Sequence, residues 1–254
     1  MIAYPRALFR ILFLLMMTIV LGGLQTLLCW LPRPYFYILP NIWGRCAVWA
    51  FGIKLVLRGE PSRARPTIFI ANHSSYLDIV TLSAVLHACF ISKASVENWP
   101  IAGWLAKIQG TVFINRTRSE AKKQTDILTD RLKNKDNLIL FAEGTTSDGN
   151  RLLPLKSSLL GVAQYAAAVQ PVTIAFTALD GIPVGRTFRY LYAWIGDESM
   201  PPHFKRLLMQ GEMEVMITFH EPIHDGLDNR KALAQQLETT MRNGLNQALN
   251  QQMV

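Results

Sequence analysis

From Ile11 to Cys29 the chain carries no charged side chain, and its only polar ones are Thr18, Gln25 and Thr26. Wound as a helix, a run of this length reaches across the roughly 30 Å of a bilayer's hydrocarbon core. Whatever else the chain forms, it has to bury or insert this helix. A cleaved leader is the competing reading, but the run is longer than a typical leader's apolar stretch and no A-x-A site follows. Bulky Leu28 before Cys29 argues against a lipoprotein site. The next stretch, "YFYILPNIWGRCAVWAFGI", is rich in Trp and Tyr, which favour the membrane interface. Pro32, Arg33 and Pro34 turn the chain between the two. Residues 6–53 are therefore expected to form a helical hairpin that enters or lies in one leaflet, with a single spanning helix as the alternative. Residues 1–53 are expected to form a membrane-associated segment and 54–254 a separate folded domain.

The 254 residues carry a net charge of +8, which favours anionic partners. Nucleic-acid binders interleave basic runs with exposed aromatics. Here the tightest cluster, Arg116, Arg118, Lys122 and Lys123, is short. An anionic membrane surface is the expected partner, and nucleic acid is not. Cys29, Cys46 and Cys89 form no CxxC pair and sit among apolar neighbours, as thiols in a reducing compartment do.

Beyond residue 54, short β-branched or bulky apolar runs alternate with amphipathic segments, which predicts an α/β fold: a mixed sheet flanked by helices. Strands are expected at 54–58, 67–71, 89–92, 111–115, 138–142, 172–178, 189–195 and 214–220. Helices are expected near 76–87, 99–108, 118–134, 157–169, 201–209 and 228–250, the last a polar surface element.

Four stretches leave these strands with polar groups. "IANHSSYLD" holds Ser75 and Asp78 in the spacing of a capping box. That account leaves His73 unexplained. Within one continuous helix, residues five apart point about 140° away from each other. A histidine in the turn before the helix can instead fold back on a carboxylate in the first helical turn, which fixes its tautomer and supports its protonated form. "FAEGTTSDGNRLLP" has the glycine spacing of a phosphate loop, but Asn150 and Arg151 replace the required Lys and Ser/Thr. A turn around Asp148-Gly149 is the simpler reading there, and it leaves Glu143 unexplained at the end of a buried strand. "HEPIH" matches a zinc pattern in letters only, because Pro222 follows a β-rich run where that pattern needs a helix. No metal is expected. "GTVFINRTR" delivers Arg116 to a turn, where its forked donors suit an anionic head group.

Together these stretches, "HEPIH" apart, resemble the glycerolipid acyltransferase family, which includes the 1-acylglycerol-3-phosphate acyltransferases. Asn72, His73 and Asp78 meet its N-H-x4-D motif, and Phe113, Asn115 and Arg116 a second motif. "FAEGTTS" resembles a third, and "LPLKSS" with Pro154 and Lys156 a fourth. Pro171 matches a later proline. The resemblance implies a membrane-bound O-acyltransferase without cofactor, in which His73 is the general base and Asp78 orients it. The acyl donor is acyl carrier protein or acyl-coenzyme A. Arg116, Glu143, Gly144, Thr145 and Lys156 fall on the acceptor-binding side, with backbone amides near Gly144 and Thr145 as oxyanion donors. A bacterial inner membrane is implied, with the catalytic domain facing the cytoplasm.

Thr146 stands where relatives carry an Arg thought to grip the acceptor's phosphate. Arg151 or Lys156 can restore a cation there. Lysophosphatidate, giving phosphatidic acid in phospholipid biosynthesis, comes first as the family's commonest acceptor, and lyso-ornithine lipid is its alternative. Outside the family, a non-catalytic membrane-surface binding protein explains the charge and the hairpin but gives His73 no task. A serine hydrolase lacks its G-x-S-x-G elbow. A lipid-A type late acyltransferase has a different His-Glu pattern.

Overall fold

The structure is a computed structural model that describes residues 3–28, 33–115, 121–196 and 198–250. Its centre is a mixed sheet of β1 (Ile53–Arg58), β2 (Thr67–Ala71), β3 (Cys89–Lys93), β4 (Val112–Ile114), β5 (Leu138–Phe141), β6 (Ala168–Leu179) and β8 (Met213–Phe219), in the order β1-β8-β6-β2-β5-β3-β4. A two-residue strand, β7 (Ile182–Pro183), pairs with β6. β6 and β8 run antiparallel, while β2, β3, β4 and β5 run parallel, with β2 between β5 and β6. Every residue of β2 and β5 is buried, which is why they read as unbroken apolar runs rather than alternating ones.

The two faces of β2 nevertheless separate by parity. Ile68 and Ile70 pack on the side covered by α6 (Ala121–Lys133) and α8 (Arg230–Asn250). Phe69 and Ala71 pack on the side of α3 (Ile38–Ala50), α4 (Leu77–Val85) and α7 (Met200–Met209). Burying one such side chain stabilises the fold by about 1.5–3 kcal/mol. α8 is a surface helix as expected, and Leu233, Leu237, Met241 and Leu245 supply its inner stripe.

α1 (Ala3–Leu28) and α3 pack against each other as the expected hairpin, with α2 (Arg33–Phe36) between them. α1 inverts the pattern of a soluble helix. Leu14, Thr18, Gly22 and Gln25 face inward, whereas Leu8, Leu12, Leu15, Ile19 and Leu27 are exposed. Its residues Tyr4–Leu28 are long and apolar enough to cross a membrane. The helix is tied to the rest of the protein at both ends. Arg6 donates to the carbonyls of Met209 and Gln210, and Arg10 to those of Leu208 and Gln210, satisfying the C-terminus of α7. At the other end Gln25 donates to the carbonyls of Phe36 and Ile108, the latter closing α5 (Ala102–Ile108). α3 meets α4 at Gly44, where a Cβ would lie 2.7 Å from the backbone nitrogen of Ala84.

Two expectations fail. Residues 189–195 are not a strand but the end of a 3₁₀ helix, Arg186–Leu191, and an irregular segment after it. Its consecutive buried pair, Tyr192 and Ala193, breaks the alternation a half-buried strand needs. The helix expected over 157–169 is a 3₁₀ helix that stops at Tyr165. From Ala168 the chain pairs with Thr67 of β2, so sheet pairing overrides the helix propensity of three consecutive alanines.

Candidate active site

β2 ends at Ala71, and the side chain of Asn72 then makes the contacts that a further residue of strand would make. Its Nδ2 donates to the carbonyl of Ile174 at 2.9 Å, and its Oδ1 accepts the Ile174 amide at 2.7 Å. This double bond to β6 pins the point at which the chain leaves the sheet. His73 follows, in the turn before α4. Its ring stacks on Phe141 with centroids 4.0 Å apart and planes 14° from parallel, and 17% of its side chain remains exposed.

The His73 ring folds back on the helix as the spacing requires. Nδ1 lies 2.9 Å from Oδ2 of Asp78, a residue with no solvent exposure. Since the carboxylate accepts, Nδ1 carries the proton and Nε2 has the free lone pair. The same Oδ2 accepts the amides of Ser74 at 2.6 Å and Ser75 at 2.8 Å. Oδ1 accepts the hydroxyl of Tyr192 at 2.9 Å. Four donors thus converge on one dry carboxylate, and hydrogen bonds to a charged acceptor are roughly twice as strong as neutral ones. Only half of the capping box forms: Asp78 reaches back to the Ser75 amide, while Ser75 Oγ accepts from Leu77.

The turn is held from its other side by the loop after β5. Glu143 is 2% exposed, and its two carboxylate oxygens accept the amides of His73 at 2.6 Å and Leu153 at 2.7 Å. Burial pushes its carboxyl up to about 7; the two amide bonds pull it down, and the nearby charge of Asp78 adds to the rise. Ser147 donates its amide to the His73 carbonyl. Gly144 takes φ of 77°, the left-handed region that suits glycine, and gives its amide to the Phe141 carbonyl. Of the two candidate oxyanion amides, Gly144's is therefore committed to the turn. Asn150 donates its amide to Oδ1 of Asp148, closing the turn expected at Asp148-Gly149.

The expected site residues are distributed as follows. His73, Asp78, Glu143 and Gly144 lie around the two turns just described. Thr145 and Lys156 are exposed on the same loop, and Lys156 ties it down by donating its amide to Ala142. Arg116 lies outside the described residues. Glu143 was expected on the acceptor side; its oxygens accept the backbone amides of His73 and Leu153. Sequence reasoning missed Tyr192, which stands far along the chain from Asp78 in a stretch read as a strand. It also missed the Phe141 ring under His73, although an aromatic residue closing a buried strand next to Glu143 was a usable signal.

A family model described as acyltransferase matches residues 54–177. A lyso-ornithine lipid O-acyltransferase of Brucella abortus is 42% identical over 221 residues, covering 83% of this chain and 83% of that protein. Another, from Rhizobium meliloti, is 37% identical over 246 residues, covering 93% of this chain and 84% of that one. A 1-acyl-sn-glycerol-3-phosphate acyltransferase of Neisseria gonorrhoeae is 32% identical over 204 residues, covering 78% and 77%. The crystal structure of a 1-acyl-sn-glycerophosphate acyltransferase from Thermotoga maritima shares the fold, with a TM-score of 0.70 over 96% of this chain and 97% of that one at 22% identity. With relatives at 42%, 37% and 32% identity that match it over most of their length, this chain belongs to the acyltransferase family.

Proposed function

We propose that the protein is a membrane-bound O-acyltransferase that moves a fatty acyl group from an acyl thioester to the hydroxyl of a lysolipid, with lyso-ornithine lipid as its preferred acceptor. The observation that carries the chemistry is the His73–Asp78 pair, which leaves Nε2 as the basic atom. Nε2 takes the acceptor's hydroxyl proton as the oxygen attacks the thioester carbonyl. The tetrahedral intermediate collapses to the ester, and the departing thiolate recovers the proton from the imidazolium. Asp78 supports the positive ring throughout. No acyl-enzyme forms, so no nucleophilic side chain is required. Acyl carrier protein and acyl-coenzyme A supply the same thioester, and either serves this scheme.

Two observations support the acceptor. Relatives named for lyso-ornithine lipid match at 42% and 37% identity, above the 32% of the Neisseria protein named for the phosphate ester. Thr146 also removes a fixed cation from the loop after Glu143. The reading reverses the order in which the motifs alone place the two acceptors. Lysophosphatidate remains the second reading, favoured by the exposed cations Arg151 and Lys156. Arg116, Thr145 and Lys156 are proposed to face the acceptor, and Glu143 to brace the turn that carries His73.

Residues 1–53 are proposed as the membrane-associated segment and 54–254 as the catalytic domain, on the cytoplasmic side of a bacterial inner membrane. The outward apolar face of α1 supports this, since lipid is the medium in which such a face is stable. A helix tied at both ends to one body lies along that body, which supports insertion into one leaflet over crossing. The test offers purified protein in detergent a labelled acyl thioester with lyso-ornithine lipid and lysophosphatidate side by side. Faster transfer to lyso-ornithine lipid is expected. Transfer to lysophosphatidate alone contradicts the acceptor, and release of free acid alone points to a hydrolase.

A further inference from the structure

We propose that Tyr192 is a positioning residue of the reaction, fixing the torsion of the Asp78 carboxylate and through it the tilt and tautomer of His73. The inference rests on the reading of His73 as the base. The geometry supplies its reason. Three N–H donors crowd on Oδ2 of Asp78, from His73, Ser74 and Ser75, and all belong to the same turn. These three hold Oδ2 and leave Oδ1 to a partner from elsewhere in the fold. The Tyr192 hydroxyl, 2.9 Å from Oδ1, comes from a different part of the chain and holds the second oxygen, so the carboxylate is gripped at both ends. Without it, Oδ1 is a buried acceptor facing a phenyl edge, a costly arrangement that rotation of the carboxylate relieves.

Tyr192 is itself held by more than its own packing. Its side chain is 1% exposed and its ring stacks on Phe176 of β6 at 5.5 Å. Burial, followed by the charge of Asp78, pushes its hydroxyl well above the ordinary tyrosine value, so it stays a donor throughout the working pH range. The residues after it close over the same turn. Trp194 gives its amide to the Ser74 carbonyl at 2.8 Å. His203 on α7, with no exposure, lies 3.0 Å from the Ala193 carbonyl through Nε2 and 3.0 Å from the Tyr76 hydroxyl through Nδ1. A carbonyl only accepts, so Nε2–H donates to Ala193 and Nδ1 accepts from Tyr76. The segment 192–194 is thus buckled to the catalytic turn at Asp78, Ser74 and, through His203, Tyr76.

The test compares the full-length protein in detergent with Tyr192→Phe and with His73→Ala, reading kcat, KM for both substrates and the pH profile of kcat/KM. The titratable groups that face the pair are Glu143 from the β5 loop, Tyr76 from the turn and Tyr192; His203 lies behind Tyr76. Outer partners of metal-bound histidines are worth about 10–100-fold, and a partner acting on His73 through Asp78 is assigned the same order. Tyr192→Phe is expected to lower kcat by about 10-fold or more, leave both KM values unchanged, and move the acid limb of the profile upward. The upward movement follows because a carboxylate deprived of one donor interacts more strongly with the imidazolium. Incorporating 3-fluorotyrosine at position 192 keeps shape and hydroxyl while strengthening the donor, and is expected to move the limb downward. It also serves if Tyr192→Phe fails to fold. An unmoved acid limb in the fluorinated protein, or a normal kcat for Tyr192→Phe beside an inactive His73→Ala, overturns the proposal. An active His73→Ala overturns the base reading instead.

Discussion

The carboxylate of Glu143 accepts the backbone amide of His73 at 2.6 Å, so the third motif of the chain holds the first in place. Its other oxygen binds Leu153, so Glu143 staples two loops together.

This staple has a pH signature. The Glu143 carboxyl lies at about 7 in the folded protein against an ordinary 4.5. Between those values the folded chain holds a proton that the unfolded chain has released, so its contribution to stability is full below the lower value and is lost as pH rises through about 7. Glu143→Gln cannot titrate and sets an amide NH₂ against one of two backbone N–H donors. Urea midpoints measured from pH 5 to 8 are expected to show the wild type more stable, with its advantage shrinking as pH rises. A constant difference would contradict the shift.

Asn72 predicts a stability effect that involves no titration. Asn72→Ala leaves the buried N–H and C=O of Ile174 without the partners they have now. Each buried group left unpartnered costs about 1–3 kcal/mol. A fall in Tm of at least about 4 °C is expected by circular dichroism.

Gly44 tests the seam between the N-terminal helices and the rest. Its Cβ position is blocked by backbone atoms of Ser83 and Ala84, which cannot yield as a side chain does. Gly44→Ala is expected to cost about 1–3 kcal/mol, read as a lower urea midpoint. An unchanged midpoint would mean that α3 and α4 separate without penalty.

The outward face of α1 tests the membrane reading. Leu15 and Ile19 are exposed, so replacing both with Lys removes no packing inside the protein. A Lys in the apolar layer of a bilayer is costly, by up to about 2.5–3.5 kcal/mol at its centre. The double variant is expected to lose co-flotation with anionic vesicles while its far-ultraviolet spectrum stays unchanged. Retained flotation would place the membrane contact elsewhere.

The sheet was legible because its central strands are covered on both faces and therefore unbroken in apolar character. The same signal misled at "RYLYAWI", where aromatic residues close over a turn instead of pairing as a strand. His73 and Asp78 were legible because their relation is local, one turn and one helix start. Glu143 stood out as a carboxylate ending a buried strand, but what it binds is backbone, and backbone partners leave no trace in residue types. Tyr192 meets Asp78 only through the fold, and no spacing announces a contact across 114 positions.

The central claim is that His73 takes the proton from the acceptor hydroxyl, and one substitution addresses it directly. A positioned base contributes about 10²–10⁴ in rate. Turnover of a labelled acyl thioester with lyso-ornithine lipid is expected to fall by at least that factor in His73→Ala, with vesicle binding and Tm close to those of the wild type. Turnover near the wild-type rate would contradict the account.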